Sequence, residues 1–481
     1  ALLEPWHDVP LRSGARLDVR QVPLPQATEE LVQLLEMPGH AALWNTAEGY
    51  RVRLSWNPEH YPSALLWFSN RGRTFAPWNG RHLALGLEPI CAAFDLGQQV
   101  SSAENPIFKE PQTARDAPLI VARPFMPLAQ AVTPYLSQID ENGWYSNFGP
   151  LLSAMERRIA ARFETPVALT TVANGTQALT LALMASRAPM GALCAVPSWT
   201  FVATLHAVAT AGMIPWMVDV DPETWMMDPQ ALKAQLADAP GPVGAVMPVG
   251  AYGTVPDLAA WARFREETGL PVIADCAAGF DACRSAEVPV MVSLHATKAL
   301  GVGEGGFIAS TDEALIQRIR ETTSYGFRGT RDSQFPATNA KLSEYAAAVG
   351  MASLDGWPTT RLRYAAVARL LRMALTDAPQ VRFQPGWGVD WVSSTCIVRL
   401  PEGSAARVEA HLNANGIDTR RWWGHGCHTS PAFANLPRQD LPNTAALAGS
   451  VLGLPFYADM SLGEVERLAC AVLAAMKDLA A

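Results

Sequence analysis

The stretch Val292-Ser293-Leu294-His295-Ala296-Thr297-Lys298-Ala299-Leu300-Gly301-Val302-Gly303-Glu304-Gly305-Gly306 holds one lysine, with a mainly apolar run at 288–294 before it and four glycines after it. An apolar run of that length, bounded by glycines, reads as a buried strand. An ammonium directly behind a buried strand is costly, because burial disfavours the charged form. Lys298 is therefore read as a functional amine rather than a solvated charge.

Around this stretch, residues from about 119 to 350 alternate short apolar runs with helical segments. Strands are expected at 192–196, 214–218, 243–247, 271–274, 290–293 and 306–309, with helices at 201–210 and 258–268 among those between them. Gly149-Pro150 opens a helix in which Leu151, Met155, Ile159 and Phe163 recur every fourth residue. Near-continuous apolar strands separated by helices predict an α/β fold with a mostly parallel sheet covered on both faces. Ligands in such sheets sit beyond the carboxyl ends of the strands.

Four features occupy that position. Asn174-Gly175-Thr176 opens a helix, whose free N–H groups and dipole suit a phosphate. Trp199 follows a strand and can stack on a flat ring, although a core tryptophan would look the same. Asp275 ends a strand, where a carboxylate needs a partner such as a pyridinium N–H or a turn amide. Ser293 lies five residues before Lys298 and could share the phosphate while the lysine holds an aldehyde. Each alone is commonplace. Together, in this order, they match the needs of pyridoxal 5′-phosphate (PLP), in which a protonated ring nitrogen lets the ring accept electrons from a substrate carbanion.

The chain from about Val121 onward resembles the DegT/StrS family of PLP-dependent nucleotide-sugar aminotransferases, of the aspartate-aminotransferase fold type I. The landmarks are Gly143-Trp144-Tyr145-Ser146-Asn147-Phe148-Gly149-Pro150, Asn174-Gly175-Thr176-Gln177-Ala178-Leu179, Pro197-Ser198-Trp199-Thr200-Phe201-Val202-Ala203-Thr204, Val218-Asp219-Val220-Asp221-Pro222, Ala274-Asp275-Cys276-Ala277, Thr297-Lys298 with Gly303-Glu304-Gly305-Gly306, and Asn339-Ala340-Lys341-Leu342-Ser343-Glu344. The resemblance implies that Lys298 binds the cofactor covalently and transfers protons, and that Asp275 pairs with the ring nitrogen. It implies that Trp199 stacks on the ring, and that Gly175, Thr176 and Ser293 hold the phosphate. Asn339 would reach the phosphate of a neighbouring subunit's cofactor, which implies a homodimer with shared active sites. Tyr325 falls near the substrate-side loop, although a structural aromatic fits there equally well.

Three positions depart from the family's pattern. Ala278 stands where Gln or His usually approaches the cofactor's phenolic oxygen. Gly250-Ala251 stands where a histidine-containing turn is frequent before Tyr252-Gly253. Lys341 replaces the arginine usual after Asn339 and loses a bidentate donor. Members that become sugar dehydratases replace the lysine by histidine, and Lys298 argues against that branch.

Residues 1–108 read as a β-rich module, a partial β-sandwich, with helical periodicity only around Glu29 to Leu35. The run from Tyr61-Pro62 to Leu87-Glu88-Pro89 resembles the C-terminal part of galactose-mutarotase-like sugar epimerases. That likeness would make Glu88 a proton-transferring base; a structural or sugar-binding appendage is the plainer reading. Residues 109–350 form the expected PLP-binding domain and 351–481 a small C-terminal α+β domain. Trp357-Pro358 is expected to break the chain before a helix at 360–375. Arg420 is a candidate contact for an anionic substrate group or a salt-bridge residue. His425 and His428 lie close together without a ligand set that supports a metal.

The formal charge of −8 argues against nucleic acid or an anionic membrane as partner. Seven scattered cysteines without a CxxC pair, and no basic region ahead of an apolar stretch at the start, predict a reduced, cytoplasmic setting without a signal peptide. The expected activity is transfer of an amino group, from glutamate, to a keto group of a nucleotide sugar. A non-catalytic PLP- or sugar-binding regulatory protein, or a PLP-dependent sugar dehydratase, is the alternative.

Overall fold

The computed structural model describes residues 118–480 and, before them, the backbone of seven strands. The chain divides into two units, 1–117 and 118–481. In the first unit β1 (Val9–Pro10) pairs with β2 (Arg16–Leu17), and β4 (His40–Asn45) with β5 (Tyr50–Ser55). A third sheet has β6 (Ser63–Asn70) between β3 (Thr28–Leu34) and β7 (Leu83–Ile90), and all these pairings are antiparallel. The β-rich expectation holds, with one correction: 28–34 is a strand, not a helix. Its full ladder to β6 outweighs the local helical spacing. Glu88 lies on β7 with its backbone opposite Leu65, and its side chain falls outside the described part.

In the second unit, α1 (Ala129–Asn142) and α2 (Pro150–Ala160) precede β8 (Ala168–Val172) and α3 (Gly175–Ala185). Then follow β9 (Leu193–Pro197), α4 (Ala203–Thr210), β10 (Ile214–Val218), α5 (Pro229–Gln235), β11 (Val243–Val246), α6 (Leu258–Thr268), β12 (Ala274–Asp275), β13 (Val290–Ser293), β14 (Gly306–Ser310) and α7 (Glu313–Thr322). Strands β10, β9 and β11 are parallel. Parallel bridges Val246–Val272 and Val249–Asp275 carry the order on to β12, which is parallel to β13. Strand β14 runs antiparallel to both β13 and β8. The sheet is therefore mostly parallel, as expected, with β14 as the exception. Strand β8 escaped the sequence reading because its centre is Thr170-Thr171. Both threonines are fully buried, and Glu156 accepts hydrogen bonds from the Thr171 N–H (2.9 Å) and hydroxyl (2.8 Å).

A second correction concerns Pro358. It sits inside one unbroken helix, α8 (Glu344–Ala374), instead of ending one. Leu354, Trp357, Tyr364 and Leu371 all bury along this helix, and Trp357 meets the Phe280 ring edge-on at 5.0 Å. That packing offsets the backbone bond that proline cannot make. Beyond it, β15 (Arg382–Phe383), β16 (Cys396–Arg399) and β17 (Val451–Leu454) form a small antiparallel sheet. Helices α9 (Ala405–Ala414), α10 (Pro442–Ser450) and α11 (Leu462–Ala480) accompany it, and Gly416, at φ +67°, ends the first of them. No helix among the described residues is long and apolar enough to cross a membrane.

One side chain joins the starts of α8 and α2. The Glu344 carboxylate, 1% exposed, accepts from Leu151 N–H (2.9 Å) and Leu152 N–H (2.8 Å), first-turn amides of α2 that have no intrahelical acceptor. A Cβ on Gly149 would fall 2.6 Å from the Glu344 carboxyl carbon, so a side chain there would displace the carboxylate from these amides. Glu344→Ala should lower the unfolding free energy by about 1–3 kcal/mol, the usual cost of stranding buried donors. Urea denaturation monitored by circular dichroism measures this; an unchanged midpoint would remove Glu344 from the account.

Candidate active site

The parallel strands β9, β11, β12 and β13 deliver their carboxyl ends to one rim. Asp275 ends β12 and Ser293 ends β13. After Ser293 the chain folds back on itself through Ala296 N–H to Gly303 C=O (2.7 Å), Val302 N–H to Leu294 C=O (2.8 Å) and Lys298 N–H to His295 C=O (2.9 Å). Gly303 adopts φ +99°, and a Cβ on Gly301 would lie 2.9 Å from the Ala296 Cα. The glycines of the stretch are thus what allow the loop to present Lys298.

Asp275 is 5% exposed. Its Oδ2 accepts from the Thr204 hydroxyl (2.8 Å) and its Oδ1 from the Ala277 N–H (3.1 Å). Burial nonetheless holds its pKa above the ordinary carboxylate value, against those bonds and the Lys298 charge. Lys298 is partly buried at the loop, and burial lowers its pKa while the Asp275 charge opposes the shift. Each group is held toward its neutral form.

The phosphate candidates also converge. Asn174 caps α3 by accepting from the Gln177 N–H (2.9 Å). The N–H groups of Gly175 and Thr176 have no acceptor among the described residues. A Cβ on Gly175 would sit 3.2 Å from the Ser293 Cβ, and one on Gly306 would sit 3.0 Å from the Gly175 Cα. Helix start, β13 end and β14 start therefore form one tight corner with two free amides and a hydroxyl.

Trp199 is 2% exposed. Its ring meets Tyr252 (6.5 Å) and Trp423 (5.6 Å) at 77° to each, and those two stack on one another at 3.9 Å. Its Nε1–H is buried without a hydrogen-bond acceptor among the described residues. Asn339, Tyr325 and Lys341 form a separate, outward-facing cluster: Lys341 Nζ donates to Asn339 Oδ1 (2.7 Å) and lies 5.1 Å from the Tyr325 ring centre. It adjoins the Asn174 turn through Ala173 N–H to Ala340 C=O (2.8 Å). Arg420 is exposed, with its guanidinium 5.0 Å from the Trp422 ring centre.

The sequence alone assigns no role to Thr204, Tyr252 or Trp423, although the first two lie within family motifs. Thr204 carried one weak signal, a hydroxyl on the first turn of a helix that follows a strand. The Gly250 departure has a steric cause, since a Cβ there would lie 2.1 Å from the Thr254 carbonyl oxygen. This backbone admits no histidine at that position.

A family model, the DegT/DnrJ/EryC1/StrS aminotransferase family, matches residues 128–473. The chain belongs to that family. It is 30% identical over 338 residues to the dTDP-3-amino-3,4,6-trideoxy-alpha-D-glucose transaminase of Streptomyces venezuelae, covering 66% of this chain and 85% of the relative. Among solved structures it resembles a putative PLP-dependent aminotransferase from Bacillus cereus, with TM-score 0.69, 27% identity, and 74% and 99% of the two chains covered. It also resembles DesI in the presence of its TDP-sugar product, with TM-score 0.68, 30% identity, and 76% and 94% covered.

The cofactor is PLP, and the residues present fit it. Asp275 is a buried carboxylate whose bonds do not offset its desolvation, as suits a site completed by a pyridinium N–H. The corner at Gly175, Thr176 and Ser293 offers donors to a phosphate. The raised pKa of Asp275 means that its native state holds a proton more tightly than its unfolded state. Stability is therefore lost as pH rises from the unfolded carboxylate value through the folded one. Asp275→Asn should stabilise the apoprotein at pH 7, by an amount on the order of 1 kcal/mol, and the gain should vanish below about pH 4. Thermal melts of both apoproteins at pH 4 and 7 check this; a destabilised variant at pH 7 would contradict the desolvation account.

Proposed function

We propose that this protein transfers an amino group from glutamate to the keto group of a nucleotide-activated sugar, as a homodimer in the cytoplasm. The observation that carries the reading is the Lys298 amine within electrostatic range of the buried Asp275, beside the Gly175–Ser293 corner. Bound PLP supplies an electron sink for the carbanion formed at the amine-bearing carbon. Asp275 keeps a proton on the ring nitrogen. Burial keeps the Lys298 Nζ toward the neutral amine, the form needed both to bond the aldehyde and to accept a proton. Gly175, Thr176 and Ser293 anchor the phosphate, and Trp199 covers the ring. In this reading 109–350 holds the cofactor and 351–481 covers it, while the N-terminal module is a sugar-binding appendage in which Glu88 is not required.

The nucleotide-sugar part rests on the family and on the names of the relatives. The dimer is supported by an outward aromatic patch. Tyr145 and Tyr345 stack at 6.1 Å while 49% and 50% exposed, and the adjoining residue Trp144 is 48% exposed. Such exposure is costly on an isolated chain and suits burial against a second copy, which would bring Asn339 and Lys341 to the neighbouring site. Arg420 then serves as a cationic contact at the substrate side.

A regulatory reading without turnover is favoured by Ala278 alone, which leaves the phenolic oxygen without its usual partner. One experiment separates the two. Wild-type protein with PLP should show a visible absorbance band that Lys298→Ala abolishes, and glutamate should bleach the wild-type band. A band that glutamate leaves intact would exclude glutamate as donor and favour the binding role. Absence of the band would remove covalent attachment at Lys298.

A further inference from the structure

We propose that Trp423 is a positioning residue: stacked on Tyr252, it fixes the angle of the Trp199 ring that covers the cofactor. This rests on the reading of Trp199 as the cofactor-stacking residue. Three segments supply the three rings. Trp199 follows β9, Tyr252 follows β11, and Trp423 comes from the run after Ile417 near the C-terminal sheet.

The geometry is that of a brace. Tyr252 and Trp423 lie nearly parallel, 19° apart at 3.9 Å, and both stand at 77° to Trp199. The two stacked rings thus meet Trp199 at the same steep angle, so a change in its tilt alters both contacts together. The buried Trp199 Nε1–H has no acceptor among the described residues, which leaves ring contacts to hold the indole.

The same C-terminal segment also grips the backbone on both sides of Trp199. Cys427 N–H donates to Ser198 C=O (2.8 Å), and the Cys427 thiol to Thr200 C=O (3.2 Å). His428 N–H reaches the Ser198 Oγ (3.3 Å), which also bonds His428 Nδ1 (2.8 Å). Residues 198 and 200 are thus tied to 427–428 while the ring between them is tied to 423. Tyr252 is held at φ +56°, a left-handed conformation unfavourable for an aromatic residue. Gly253 follows at φ +123°, and a Cβ there would lie 2.7 Å from Ser393. Strain of this kind persists only where surrounding packing enforces it.

The test uses the full chain. Trp423→Ala should weaken PLP binding to the apoprotein by about tenfold, the scale of losing one aromatic pair, and should diminish the visible circular dichroism of bound PLP. Trp423→Phe should restore both. If Trp423→Ala lowers the melting temperature while PLP affinity and the dichroic band stay at wild-type values, Trp423 only packs and the proposal falls. Trp423→Leu keeps apolar volume without a stacked face and reads the same quantities should the alanine variant not fold; wild-type values there also overturn it. The underlying cofactor reading fails separately, in the wild type, if no PLP band forms at all.

Discussion

The desolvated carboxylate of Asp275 is the constraint around which the rest of the site is arranged. It can be buried only because the Thr204 hydroxyl and the Ala277 amide reach it, and because Lys298 lies within its field. Those three groups come from α4, from the turn after β12 and from the loop after β13. A parallel arrangement brings them to one rim. Antiparallel strands would have alternated their ends between the two edges of the sheet. Only β14, which contributes Gly306 to the phosphate corner from its start, runs the other way.

A second constraint is close backbone approach. Gly175 against Ser293, Gly306 against Gly175 and Gly301 against Ala296 are contacts that a methyl group would spoil. They bring helix N–H groups and a hydroxyl to one corner, and the lysine loop falls within the field of Asp275. Polar chemistry is concentrated at positions whose neighbours are small, and bulky side chains fill the layers behind.

Much of this was legible because burial leaves a plain mark on a sequence. Ile214–Val218 and Val290–Ser293 are strands over the residues expected, since apolar runs between turn residues have few other uses. Lys298, Asp275 and Ser293 stood out as polar residues at the ends of such runs. What failed was set by distant contacts. Thr170 and Thr171 look like surface residues until Glu156 and β14 are placed beside them. Pro358 signals a break until the burial of Trp357 and Tyr364 is known. The pairing of Tyr252 with Trp423 leaves no periodic trace, because neither residue's role depends on its sequence neighbours.

Gly250 and Ala278, two positions that depart from the family's usual pattern, lie on one seam between the turns after β11 and β12. Gly250 N–H donates to the Asp275 C=O at 2.9 Å. A Cβ on Gly253 would lie 3.4 Å from the Ala278 carbonyl oxygen, and one on Gly279 would lie 3.5 Å from the Thr254 carbonyl oxygen. The turn after β11 and the turn after β12 therefore pack backbone on backbone. A larger residue at 250 collides with its own turn, which must open to admit it, and an open turn would displace Tyr252 from Trp423. A side chain at 250 therefore requires that 251–254 be rebuilt.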